Sequence, residues 1–148
     1  MERSQKALDY YSKGFNCSQS VIASFADILN IDEEIALRMA SGFGGGMGRM
    51  QETCGAVTGA FMVIGFLRGK YKDGDYEAKE LTDKLIQEFS NRFAKKHGSV
   101  NCKSLIKFDL NTKEGRKEAE NTQVFQKKCT YFVKFAVDLL EEIILKSE

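Results

Sequence analysis

Residues 122–146, TQVFQKKCTYFVKFAVDLLEEIILK, decide the fold. Phe125, Cys129, Phe132, Ala136, Leu139 and Ile143 recur at alternating steps of four and three, which is the spacing of one face of an α-helix. A seam of that kind has to be covered by other helices, and the rest of the chain offers them. Proline is absent from all 148 positions, so the strongest helix breaker is missing and turns fall to glycine and Asx residues.

Working back from that segment, residues 4–13 read as a first helix stopped by Gly14. Asn16 caps a second that carries Val21, Phe25 and Ile28 and runs to residue 29, and Asp32 caps a third through IALRMA. Thr53 caps a fourth with Val57, Phe61 and Ile64 on its face and Gly69 after its end. Asp75 opens a long helix with the stripe Leu81, Leu85, Phe89 and Phe93, closed by Gly98. A short helix follows Asn101, and KFDLNTKEGRK (107–117) reads as an irregular connection. The expectation is an all-α fold, a compact bundle of about six or seven helices forming a single domain over residues 1–148.

Composition narrows the function. Twenty-two Lys and Arg against 21 Asp and Glu leave a formal charge of +1, with no basic footprint for nucleic acid or an anionic membrane. The longest apolar run, residues 54–67, falls short of the roughly 20 residues that span a bilayer and reads as a core helix. MERSQKALDYYSKG lacks the pattern of a signal peptide, so the expected compartment is the cytoplasm. The broad apolar face of the last helix leaves room for a homodimer.

Within this frame QETCGAVTGAF (51–61) is a poor start for a helix, with glycines at 55 and 59 where alanine would serve better. Its cysteine gives the reason. Cys17 follows Asn16, Cys54 follows Thr53 and Cys102 follows Asn101, so three of the four cysteines fall just after a residue able to cap a helix. Free amides and the positive end of the helix dipole favour thiolate there. Gly55 and Gly59 let another backbone, or a bound group, approach the sulfur. Cys129 sits in the seam of the last helix, and all four cysteines are able to point inward to one place.

The order Cys17, then CGAVTG at 54–59, then Cys102 and Cys129, preceded by the glycine-rich FGGGMGR, resembles the C_GCAxxG_C_C family over nearly the whole chain. The family's name lists four cysteines, all matched here by position. What the resemblance implies is a redox role ascribed to those cysteines, with no particular reaction.

Thiol–disulfide exchange needs a reachable thiolate and a second thiol to resolve the mixed disulfide. Cys54 is the expected attacking thiolate and Cys17 its resolving partner, with Cys102 and Cys129 as a second relay pair. Four cysteines allow three pairings, and sequence does not choose among them. On this reading the protein is a thiol–disulfide oxidoreductase without a cofactor, and its partner is a small thiol or a redox protein. One alternative makes Cys17, Cys54, Cys102 and Cys129 the ligands of zinc or an iron–sulfur cluster, although such sites usually bring ligands in close Cys-x-x-Cys pairs and none occurs here. A second alternative is a helical binding module with incidental cysteines, since free cysteine is commonly buried. SGFGGGMGRM (41–50) matches neither a dinucleotide fingerprint nor a P-loop and reads as a mobile connection. Arg49, near the start of the Cys54 helix, is placed to support a thiolate or an anionic substrate. His97, the only histidine, reads as a surface contact at a helix end, and Tyr11 as core or rim.

Overall fold

The computed structural model describes residues 2–146. Among them 74% are helical, no strand forms, and seven helices reach seven residues or more. The elements are α1 (Arg3–Ser12), α2 (Cys17–Ser24), α3 (Ala26–Leu29), α4 (Glu33–Ala40), α5 (Gly55–Arg68), α6 (Tyr76–His97), α7 (Cys102–Ile106), α8 (Lys113–Thr122) and α9 (Thr130–Lys146). A single 3-10 turn, Ser41–Phe43, follows α4, and a π-helical segment, Phe125–Cys129, leads into α9.

Local chemistry places most helix starts where the sequence puts them. The Asn16 side chain accepts from the Gln19 amide while the Gln19 side-chain oxygen accepts from the Asn16 amide, a full capping box. Asp32, Asp75, Asn101 and Thr112 cap α4, α6, α7 and α8 in the simpler one-bond manner. Gly98, at φ 93°, ends α6 in the left-handed conformation that costs glycine little.

Four sequence expectations need correction, two because a distant partner overrides a local signal and two because local caps and turns lie elsewhere than expected. The helix expected from 17 to 29 breaks at Phe25. Arg3 donates to the Ser24 carbonyl that would otherwise continue the ladder, pairs with Asp27 at 2.6 Å and lies over the Phe25 ring at 4.8 Å. The break turns Ile28 out to 45% exposure. Thr53 caps nothing; it forms an isolated antiparallel bridge with Asn101. Residues 107–117 are only half irregular, because Thr112 starts α8 and Gly115 fits beneath Asp109, whose carbonyl leaves no space for a Cβ. The last helix begins later than expected, since α8 runs to Thr122 and ends on Gln123 at φ 58°. Its seam nevertheless holds: Cys129, Phe132, Ala136, Leu139 and Ile143 are all buried.

The core is one continuous cluster drawn from nearly every helix. Phe25, Phe89 and Phe93 are fully excluded from solvent, and each such side chain contributes about 1.5–3 kcal/mol relative to exposure. Leu81, at the outer end of the α6 stripe, stays 36% exposed. The closest packing joins α2 to α5 and depends on two glycines. A Cβ on Gly59 would meet the Ser18 carbonyl oxygen at 2.9 Å, and one on Gly55 would meet the Ser18 amide at 3.1 Å and Cys17 Cβ at 3.2 Å. The backbone that these glycines admit is that of α2.

Candidate functional site

All four cysteines line one cavity of about 170 Å³. Four structural devices bring them there. Cys17 is the first residue of α2 and lies against Gly55 across the α2–α5 contact. Cys54 stands at the N-cap of α5, one residue earlier than expected, with extended backbone. Cys102 opens α7 opposite it, because the bridge between Thr53 and Asn101 locks the two chains together: the Cys54 amide donates to Val100 at 2.7 Å and the Cys102 amide to Glu52 at 2.6 Å. Cys129 closes the π-helical segment before α9. Segments of this kind insert a residue into a helix, re-aim the side chains beyond it, and are common at functional sites.

The glycine-rich stretch supplies another wall. The connection between α4 and α5 is a hydrogen-bonded coil: the Gly48 amide donates to Gly42 at 2.7 Å, that of Gln51 to Gly45 at 3.0 Å and that of Glu52 to Gly46 at 2.9 Å. Gly46, at φ 71°, packs so tightly that a Cβ would lie 2.7 Å from Cys102 Cβ. Leu105, Ile106, Leu110, Phe125 and Phe132 make the remaining walls apolar. The half-buried members of the lining include Tyr11, Asn16, Cys17 and Gly45.

At Cys54, the expected thiolate, two effects oppose each other. The amides of Ala56 and Val57 do face its sulfur and favour the anion, as a helix start should, although no full cap bond closes. Burial outweighs them and pushes the thiol up to about 12, with Cys129 and Cys102 adding to the rise. Cys102 is pushed up to about 11, again mainly by burial, against a hydrogen bond from Gln51. Cys17 is held well above the usual thiol range, first because its thiol hydrogen-bonds Cys129 and then because it is desolvated. Cys129 alone moves down. Its sulfur receives the Cys17 hydrogen bond, overcoming burial, with further help from the Tyr11 hydroxyl and the charge of Lys128. Cys17 and Cys129 thus titrate as a pair, the proton held more tightly on Cys17 than on Cys129.

Sequence reasoning missed three features. Tyr11 donates to the Phe125 carbonyl in the π-helical segment at 3.1 Å and reaches the Cys129 sulfur. Ser4, Ala7 and Tyr11 share a helix face, a spacing that signals burial but not a sulfur partner. Gln51, 4% exposed, donates to Phe108 at 2.7 Å, accepts the Leu110 amide at 2.8 Å and hydrogen-bonds Cys102. No local pattern marks it. The π-helical segment is likewise invisible in the residue periodicity.

Two further residues stand differently from expectation. Arg49 is exposed and outside the lining, so it adds nothing to the thiols; its carbonyl accepts from Asn111 at 2.9 Å. His97 is a member of an aromatic cluster with Phe93, Tyr131, Phe132 and Phe135, not a surface contact. Among the described residues no group of three or more His, Cys, Asp or Glu side chains is placed to hold a metal ion, and no helix is long and apolar enough to cross a membrane.

A family model described as "putative redox-active protein (C_GCAxxG_C_C)" matches residues 15–143, which takes in all four cysteines. No curated protein and no solved structure gives a significant match to the chain.

Proposed function

The chain belongs to the C_GCAxxG_C_C family, and from that premise we propose that it is a dithiol–disulfide redox protein whose working couple is Cys17 and Cys129. The observation that carries the reading is that all four cysteines line one cavity, within which Cys17 and Cys129 influence each other's titration most strongly. Cys17 is the least buried of the four. In the oxidised protein it is therefore the sulfur that an external thiolate attacks. The Cys17–Cys129 bond breaks, Cys129 leaves as a thiolate, and a mixed disulfide forms on Cys17. A second external thiolate attacks that mixed disulfide at the external sulfur, releasing Cys17, which takes up a proton. Two electrons pass to the protein and one external disulfide is formed.

Cys129 suits the leaving role because a thiol of lower pKa leaves faster, and its neighbours Cys17, Tyr11 and Lys128 favour its anion. Cys54 and Cys102, tied by the Thr53–Asn101 bridge and high in pKa, form a second, slower pair that relays oxidation from the first.

The test is equilibration in buffers of graded thiol–disulfide ratio, counting free thiols. Two thiols should be lost together in the wild type and in Cys54→Ser. Neither Cys17→Ser nor Cys129→Ser should show that step. A first step that survives both replacements rejects the couple.

A further inference from the structure

A dithiol couple requires an oxidant, and the dimensions of the cavity restrict which one reaches Cys129. Its residue is 7% exposed, and those of Cys54 and Cys102 are 5% and 8% exposed. Attack by the Cys129 sulfur on an external disulfide would require three sulfurs in line within the cavity, with a substituent on each sulfur of the disulfide. A protein disulfide brings far more bulk than about 170 Å³ admits. A hydroperoxide carries a bare hydroxyl at one end of a short O–O bond, so it can present that oxygen to a recessed sulfur while its other substituent rests on the walls. Those walls are Leu105, Ile106, Leu110, Phe125 and Phe132. An apolar cavity of about 150 Å³ holds benzene, and tert-butyl hydroperoxide has as many non-hydrogen atoms.

We propose that the cavity is a peroxidatic site for small organic hydroperoxides, with Cys129 as the sulfur oxidised and Cys17 as the one that resolves it. This rests on the Cys17–Cys129 couple inferred above. In the first step the Cys129 sulfur bonds to the terminal oxygen of ROOH, the O–O bond breaks, and the alkoxide leaving group takes the proton that the thiol gave up. The products are Cys129 sulfenic acid and ROH. In the second step the Cys17 sulfur attacks the sulfenic sulfur and the S–O bond breaks. The hydroxide leaves as water with the Cys17 proton. One dithiol and one hydroperoxide become one disulfide, one alcohol and one water, with two electrons passing from the sulfurs to the O–O bond. A low-molecular-weight thiol then restores the dithiol by the exchange at Cys17 already described.

The geometry supplies a proton-bearing neighbour as well. The Tyr11 hydroxyl lines the cavity beside Cys129, and by turning its one proton from the Phe125 carbonyl it is able to hydrogen-bond the departing oxygen. Burial keeps that hydroxyl protonated.

The experiment mixes fully reduced protein with tert-butyl hydroperoxide, hydrogen peroxide, a long-chain fatty-acid hydroperoxide or the small disulfide cystamine, tracking free thiols and alcohol released. The expected result is fast loss of two thiols with one equivalent of tert-butanol, slower reaction with the fatty-acid hydroperoxide, and dimedone capture of a sulfenic acid at Cys129 in Cys17→Ser. If cystamine forms the Cys17–Cys129 disulfide but tert-butyl hydroperoxide reacts no faster than with free cysteine, the peroxidatic proposal falls and the couple stands. If no reagent joins these two cysteines, both fall. Because these comparisons use the wild-type protein, a variant that does not fold leaves the outcome readable.

Discussion

Cys17, at the start of the second helix, shares a cavity wall with Cys129, at the end of a π-helical segment near the other end of the chain, and the two sulfurs shift each other's proton affinity in opposite directions. That opposition divides four chemically identical side chains into unlike roles. The Tyr11 hydroxyl adds to the asymmetry from α1.

Replacing Tyr11 by Phe removes that hydroxyl while keeping the ring. A hydrogen bond to a charged group is worth about 1.5–3 kcal/mol, so the Cys129 midpoint should rise by about one to two pH units. Titrating thiolate ultraviolet absorbance against pH in wild type and Y11F checks this, and an unchanged first midpoint would remove Tyr11 from the site.

Alkaline pH should destabilise the fold through its buried thiols. The folded-state pKa of Cys54 is raised to about 12 against an unfolded value near 8.5, so the folded protein holds a proton that the unfolded chain has lost. Stability is complete below the unfolded value and falls as pH rises from about 9 towards 12, by up to about 1.4 kcal/mol per unit from this thiol. Denaturant midpoints measured over that range should fall less steeply in Cys54→Ala.

The α2–α5 contact predicts opposite signs for two alanine substitutions in one helix. Gly59→Ala forces a Cβ to 2.9 Å from the Ser18 carbonyl oxygen and should cost about 1–3 kcal/mol. Gly65→Ala meets nothing within 4 Å and should stabilise by up to about 1 kcal/mol. Thermal unfolding of the pair separates close packing from helix propensity.

Gln51 ties the glycine-rich coil to residues 108–110 through one part-buried and one buried hydrogen bond. Gln51→Leu leaves the buried Leu110 amide without its acceptor, which should cost about 1–3 kcal/mol and loosen the wall beside Cys102. Faster alkylation of Cys102 in Q51L, with the other thiols unchanged, is the specific sign.

Legible in the sequence was whatever neighbouring residues decide. Asn16, Asp32, Asp75 and Asn101 cap helices because their side chains reach amides two or three positions ahead, and the seam of the last helix comes from spacing alone. The break at Phe25 was hidden because it depends on Arg3 from another helix, and the bridge at Thr53 because it depends on Asn101. The site divides in the same way. Cys17 and Cys102 were marked by their place after residues that do cap helices, whereas the nearness of Cys17 to Cys129 arises only when α2 meets the end of the π-helical segment. Helix-start amides do act on Cys54 as the sequence suggests, and the burial that exceeds them is a property of the assembled core.

Metal content separates the redox reading from the zinc or iron–sulfur alternative. Protein isolated without chelator should carry less than one equivalent of zinc or iron, and adding chelator should leave the thiol count and the thermal midpoint unchanged. A stoichiometric metal that is lost on replacing any one of the four cysteines would favour the alternative.

The most direct test of the Cys17–Cys129 couple is to oxidise the reduced protein gently, block the remaining thiols, and map the joined peptides by mass spectrometry. The account predicts a first disulfide between Cys17 and Cys129, with Cys54 and Cys102 still blocked as free thiols. A first disulfide joining Cys54 to any other cysteine, while Cys129 remains free, would contradict it.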